Sequence, residues 1–294
     1  MAQRSSTTLD ASLAGTIDIG GDMRVNRFGF GAMRLTGGGI WGQPADKEEC
    51  ARVLRRTLEL GINFIDTADS YGPEVSEQLI AETLYPYPDD LVIATKGGMT
   101  RPGPGRWIPN GRPEHLRAAC EGSLRRLRVE QIDVYQFHRP DPAVPFEESV
   151  GALVRLKEEG KIRHIGVSNV STDELKRAEK LTPVVSLQNR YNVFDRSSED
   201  VLETCSLEGI AFLPWRPVEG GGVAEAEGVL AEIAGRHRAT PTQVALAWLL
   251  KHSPVMLPIA GTSKVAHLEE NLGAVALDIA PADYEKLDKI AESA

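Results

Sequence analysis

Three polar residues stand where apolar runs stop. Asp66 ends Phe64-Ile65, Lys96 ends Val92-Ile93-Ala94-Thr95, and His138 ends Val134-Tyr135-Gln136-Phe137. Tyr71 follows shortly after the carboxylate, in Asp66-Thr67-Ala68-Asp69-Ser70-Tyr71-Gly72. A phenol with its ordinary pKa of about 10 is a poor proton donor at neutral pH. An ammonium beside it favours the phenolate and lowers that value. Asp66 would hold Lys96 charged and oriented, while a neutral His138 would donate to a carbonyl oxygen and align it. Together they make a general acid aimed at a developing alkoxide. The set supplies no hydride. Taken singly, each residue also has an ordinary structural use: an ion pair, a satisfied core histidine, a tyrosine packed on Pro73.

Such chemistry needs the strand ends gathered around one mouth. Short apolar or β-branched runs alternate with amphipathic segments along the chain. The expected strands are Phe28–Met33, Asn63–Ile65, Leu91–Thr95, Val134–Phe137, His164–Val167, Val184–Leu187, Ile210–Leu213 and Val255–Ile259. They read as continuous apolar runs, which suits parallel strands buried on both faces. The expected helices are Lys47–Leu60, Val75–Leu84, Pro113–Leu127, Phe146–Glu159, Thr172–Leu181, Ser198–Leu207, Thr242–Lys251 and Val265–Gly273. Ser171 with early acids, Pro241 at a helix start, and Gly61, Gly160 and Gly209 after helices mark the ends.

Eight strands alternating with eight helices predict an α/β fold, a (β/α)8 TIM barrel. The polar strand ends Asp66, Lys96, His138, Ser168 and Gln188 recur at 30, 42, 30 and 20 residues, against roughly 31 per barrel unit. Before the first strand, a Gly-Gly-Asp turn between two apolar runs predicts an N-terminal β-hairpin plugging the barrel floor. No linker interrupts residues 1–294, so a single domain is expected. A Rossmann sheet is disfavoured, because Gly29-Phe30-Gly31 has no third glycine and no helix opens at once.

Composition narrows the class. Hydrophobic residues are 41% and charged residues 26% of 294, ordinary soluble usage. A net charge of −9 argues against a duplex-binding surface but leaves room for a local basic pocket for a phosphorylated small molecule. Three scattered cysteines, Cys50, Cys120 and Cys205, form neither a disulfide framework nor a zinc motif. No signal peptide is legible at the N-terminus. The apolar run at Val244–Leu250 is far short of the roughly 20 residues that span a bilayer. A cytoplasmic protein with no nucleic-acid or membrane partner is the expectation. A metal-assisted hydrolase is disfavoured, since only His138 of six histidines sits at a strand end and no HxH occurs. No metal is expected.

These residues resemble the aldo-keto reductase superfamily from about Met23 to Asn271. The resemblance is carried by Gly61-Ile-Asn-Phe-Ile-Asp66-Thr-Ala-Asp-Ser-Tyr71-Gly72, Thr95-Lys96, Phe137-His138, Gly166-Val-Ser168-Asn169, Gln188-Asn189 and Gly261-Thr-Ser-Lys-Val-Ala-His267-Leu-Glu-Glu270-Asn271. It implies reduction of an aldehyde or ketone by NADPH (cofactor NADP), with a small-molecule carbonyl as substrate. Tyr71 would be the proton donor, Lys96 and Asp66 its tuning pair, and His138 the substrate-orienting group. Ser168, Asn169 and Gln188 would hold the nicotinamide carboxamide, and Trp215 stands where the family stacks a tyrosine or phenylalanine.

Arg216 and the glycines Gly220, Gly221 and Gly222 would approach the pyrophosphate. Gly261, Thr262, Ser263 and Lys264, with His267 in place of an arginine, would take the 2′-phosphate. Glu270 and Asn271 match the pair expected at the adenine. Trp41 and Trp107, with Arg101 and Ile108, would line the substrate pocket. The alternative implied by the resemblance is a non-catalytic NADP-binding regulatory or sensor protein of the same fold.

Overall fold

The computed structural model describes residues 9–218 and 228–291. Two strands, β1 (Thr16–Ile19) and β2 (Met23–Asn26), pair antiparallel around the Gly20-Gly21 turn and form the expected hairpin. Then come β3 (Phe30–Gly31), α1 (Lys47–Glu59), β4 (Phe64–Asp66), α2 (Val75–Leu84) and β5 (Val92–Gly97). A second hairpin, β6 (Met99–Gly103) and β7 (Arg106–Pro109), precedes α3 (Pro113–Leu127). The alternation resumes with β8 (Ile132–Phe137), α4 (Phe146–Glu158), β9 (Ile162–Ser168), α5 (Thr172–Glu179), β10 (Val184–Gln188), α6 (Glu199–Glu208) and β11 (Ala211–Phe212). Four helices complete it: α7 (Val229–His237), α8 (Pro241–His252), α9 (Val265–Leu272) and α10 (Pro281–Asp288).

Seven strands form one parallel sheet in the order β11-β10-β9-β8-β5-β4-β3. The segment 255–259, expected as an eighth strand, instead makes single parallel bridges, Phe212 to Met256 and Gly29 to Ile259, to the two edges of that sheet. Pro258 lacks the N–H that a continuous ladder needs, which limits this segment to isolated bridges. The first run is also shorter than expected, because Ala32–Leu35 coils into a 3-10 helix immediately after β3. The hairpin β6–β7 and the helices α7 and α10 lie outside the expected elements. Pro102-Gly103-Pro104-Gly105 masks the strand alternation of the first of these.

Local signals hold the helices where the site needs them. Ser171 and Glu174 form a capping box on α5, as Thr240 and Gln243 do on α8, where Pro241 takes the first turn. Gly61, Gly160 and Gly209 follow their helices at φ of 74°, 76° and 71°. Cys50, Cys120 and Cys205 are free and buried within α1, α3 and α6.

Strand alternation divides the core in two. Outward residues Ile65, Ile93, Tyr135, Phe137, Ile165, Val167 and Phe212 meet the helices. Inward residues Phe64, Val92, Ala94, Val134, Val185, Ala211, Leu213, Leu257 and Ile259 form a second cluster, and Ile19, Met23 and Val25 of the hairpin pack on it from below. Ile19 is fully buried in this floor. Ile19→Ala should cost about 2–5 kcal/mol through lost transfer energy and a residual cavity. Urea denaturation would check it, with the midpoint falling at unchanged slope; an unshifted midpoint would show that the hairpin is not part of the cooperative core.

Candidate active site

On the same inward face, one or two residues above the apolar floor, the strands turn polar. Asp66 ends β4, Lys96 is the next-to-last residue of β5, Gln136 is the next-to-last residue of β8, and Ser168 and Gln188 end β9 and β10. His138 follows β8, two residues beyond Gln136. Lys96 is fully buried, and its ammonium donates to Asp66 Oδ2 at 2.6 Å, to the Thr67 carbonyl at 2.8 Å and to Tyr71 Oη at 3.2 Å. The other carboxylate oxygen, Asp66 Oδ1, accepts from Gln136 Nε2 at 3.0 Å and from Gln188 Nε2 at 2.8 Å. A buried charge pair is tolerated only when its remaining lone pairs and protons are bonded in this way.

Two glycines make the arrangement possible. Gly166 pairs in register with both Gln136 and Ser186, and a Cβ there would collide with Ser186 Oγ and crowd Gln136 Cγ. Gly72, just after Tyr71, holds φ at 103°, where a Cβ would strike Val75. The loop bearing the phenol is tied further by Thr67 Oγ1 donating to Ser76 Oγ at 2.8 Å.

Burial pushes the Tyr71 phenol above its ordinary value, outweighing the opposite pull of the Lys96 ammonium. This corrects the expectation of a lowered phenol: Tyr71 keeps its proton at neutral pH. Burial alone would lower Lys96, but the Asp66 carboxylate and the phenol oxygen hold it above its ordinary value. Burial and the positive charges of Lys96, Arg139 and Arg101 hold His138 well below the usual imidazole range, so the ring is neutral. Its Nδ1 lies 3.3 Å from the Ser70 hydroxyl. When Ser70 donates there, the ring hydrogen sits on Nε2.

Tyr71, His138 and Trp107 form a triangle of edge-on rings, with centroids 6.0, 6.2 and 6.2 Å apart. They stand at a cavity of about 480 Å³ that also touches Asp66, Ser168, Asn169, Gln188, Trp215, Arg216 and Gly261. That size suits a cofactor-plus-substrate site, for which roughly 300–1,000 Å³ is usual. Three guanidiniums, Arg34, Arg139 and Arg216, line it in a chain whose net charge is −9.

Other expected residues occupy particular positions. Ser168 Oγ donates to the Gln188 carbonyl at 2.8 Å. Asn169, at φ 57°, bonds within the chain. Its amide nitrogen donates to the His138 carbonyl and to Ser168 Oγ, while its Oδ1 accepts from Arg139 and from the Trp215 indole at 3.1 Å each. Gly220, Gly221 and Gly222 lie outside the described residues.

In the last loop, the Thr262 hydroxyl accepts from the Lys264 amide at 3.1 Å, and Glu49 Oε1 accepts from Val265 N at 3.0 Å, at the start of α9. Ser263, Lys264, His267, Glu270 and Asn271 lie in this loop and helix and do not line the cavity. Trp41 and Arg101, expected in the pocket wall, do not line it either: Trp41 is bridged through its backbone to Gly72, and Arg101 lies over Trp107. Ile108 is exposed on β7. Sequence reading missed Gln136, Ser70, Met33, Met99 and Arg139. Gln136 was legible in principle, since it precedes His138 by two and so shares its strand face. Among the described residues, no three His, Cys, Asp or Glu side chains gather to hold a metal, and no helix is long and apolar enough to cross a membrane.

The parallel sheet, its helices and this buried pair define an oxidoreductase of the aldo/keto reductase family, whose match spans residues 27–292. The chain belongs to that family. It is 52% identical over 289 residues to an uncharacterized oxidoreductase of Schizosaccharomyces pombe, covering 98% of this chain and 94% of that one. It is 40% identical over 277 residues to pyridoxine 4-dehydrogenase of Escherichia coli, covering 92% and 96% respectively. The structure matches glycerol dehydrogenase from Gluconobacter oxydans with a TM-score of 0.85 at 26% identity, over 95% of this chain and 96% of that chain.

Asp66→Asn removes the charge that offsets a fully buried ammonium. The expected loss is about 3–5 kcal/mol of unfolding free energy, read by chemical denaturation. A loss below about 1 kcal/mol would show that water or another anion compensates Lys96.

Proposed function

We propose that this chain reduces an aldehyde to an alcohol with NADPH as hydride donor, and that Tyr71 delivers the proton. One observation carries the reading: a single buried ammonium, Lys96, touches both a carboxylate and the phenol of Tyr71 at the floor of a cavity. NADP-dependent carbonyl reduction is the general activity of the family to which the chain belongs. When bound, the cofactor supplies the hydride; the protein supplies position and charge.

The residues divide the remaining work. Lys96 stabilises negative charge on the phenol oxygen as Tyr71 gives up its proton, and Asp66 keeps Lys96 charged. A neutral His138 donates to the carbonyl oxygen and orients it toward Tyr71. Trp215, with its indole held by Asn169, offers a flat face to a nicotinamide. Ser168, Asn169 and Gln188 border the same space, and the amide bonds they now make within the chain would be exchanged in part for bonds to the carboxamide. Arg34, Arg139 and Arg216 suit a phosphorylated cofactor. Ser263 and Lys264, at the N-terminal end of α9, suit the 2′-phosphate.

A flat aromatic aldehyde in the cavity would rest against the rings of Tyr71, His138 and Trp107 that line it. The likeness to pyridoxine 4-dehydrogenase supports pyridoxal as the first substrate to try.

Loss of the near-ultraviolet absorbance of NADPH on adding pyridoxal or 4-nitrobenzaldehyde tests the reaction. Tyr71→Phe should slow it by at least about 100-fold while leaving NADPH affinity nearly unchanged, the scale of a lost general acid. Tight NADPH binding without turnover of any carbonyl would instead favour a cofactor-sensing role. Lys264→Ala should weaken NADPH binding at least about tenfold more than NADH binding. Titration of protein fluorescence with each nucleotide would measure this, and equal losses would remove Lys264 from the 2′-phosphate.

A further inference from the structure

Arg101, on β6, is nearly buried, yet among the described residues no carboxylate pairs with it. Its guanidinium reaches three separate stretches of backbone. Nη1 donates to the Ser70 carbonyl at 2.8 Å, Nη2 to the Gly39 carbonyl at 3.0 Å, and Nε to the Arg106 carbonyl at 2.9 Å. Ser70 immediately precedes the proton donor, Gly39 belongs to the loop after β3, and Arg106 opens β7. The same guanidinium lies over the Trp107 ring, 3.6 Å from its centroid, and 5.7 Å from the Trp41 ring.

Main-chain bonds join the same three stretches: Gly42 N donates to the Gly72 carbonyl, and Gly105 N to the Gly39 carbonyl at 3.2 Å. A rigid planar fork can serve three carbonyls in different directions and stack on an indole at once. A lysine ammonium in its place would be a point charge on a flexible stem. Burial without an opposite charge lowers the guanidinium from its ordinary value, while the carbonyls and indoles take the place of solvent.

We propose that Arg101 is a positioning residue that sets substrate selectivity: it locks three loops into one wall and holds Trp107 edge-on to Tyr71 and His138. The proposal rests on the carbonyl-reductase reading for its substrate. Trp107 closes the third side of the ring triangle, so a flat aldehyde is confined only while Trp107 stays in place. A small aliphatic aldehyde makes little use of that side.

Arg101→Lys keeps a cation and is the first variant, with Trp107→Ala beside it. Steady-state kinetics with 4-nitrobenzaldehyde and propionaldehyde, NADPH titration by fluorescence, and amide hydrogen exchange would be measured on each. Arg101→Lys should lower kcat/KM for the aromatic aldehyde about tenfold or more, mainly through KM, while propionaldehyde changes by less than about threefold. NADPH affinity should hold, and exchange should quicken together at Gly42 and Gly105 but not in β5. Combining the variant with Trp107→Ala should add little further loss, because the two act through one wall.

Equal losses for both aldehydes, additive losses in the double variant, or faster exchange at only one of the two amides would overturn the proposal. Should the unsubstituted protein turn over no carbonyl, pyridoxal included, the carbonyl-reductase reading fails by itself. The exchange pattern then decides the clamp alone, joint loosening sustaining it and independent loosening ending it.

Discussion

A lysine ammonium buried 2.6 Å from an aspartate carboxylate sets the terms for the upper half of this molecule. Two charges taken from water must have every remaining proton and lone pair bonded, or the fold loses more than their attraction returns. Lys96 therefore needs the Thr67 carbonyl and the Tyr71 hydroxyl, and Asp66 needs two amide donors from β8 and β10. Those needs dictate a glycine at position 166, so that Gln136 has room, and a left-handed glycine at 72, so that the chain can turn after the phenol. In the proposed reaction the pair would also make the phenol a useful acid. Burial keeps its proton on, and the adjacent ammonium would stabilise the anion left by a proton transfer to substrate.

Charge is distributed in opposite senses at two scales. The chain is acidic overall, at −9, while the cavity gathers Arg34, Arg139 and Arg216 around a neutral imidazole and a protonated phenol. Net charge speaks to solubility and to nonspecific partners, and a pocket's potential depends on the few groups that face it. Low dielectric inside the pocket magnifies those few. Burial first, and then the cations Lys96, Arg139 and Arg101, hold His138 neutral, which leaves the ring one hydrogen-bond donor and one acceptor.

Strand ends and hairpin turns are written locally, which is why so much of the fold could be read directly. The Gly20-Gly21 turn lies between two short apolar runs, and the structure has the hairpin there. Asp66, Lys96, His138, Ser168 and Gln188 follow apolar runs, and all five reach one cavity or its floor. Where the reading fell short, a local signal was masked or split. Pro258 breaks the ladder of the last strand, and Pro102 with Pro104 hides β6 and β7.

What residue types and spacing determined by themselves is the alternating architecture and the polar residues Asp66, Lys96 and His138 at its strand ends with Tyr71 close behind, since these depend on periodicity and on a residue's own chemistry, while the resemblance of whole motifs pointed to the family. Only the tertiary structure decided the partners. Gln136 and Gln188 reach Asp66 across 70 and 122 residues of chain, and Arg101 joins stretches up to 62 residues away. It also decided that burial outweighs the lysine at Tyr71 and that Asn169 spends its amide on Trp215, Arg139 and the His138 carbonyl. Such pairings follow from the three-dimensional distance between side chains on different strands, and a one-dimensional pattern records only which face each side chain takes.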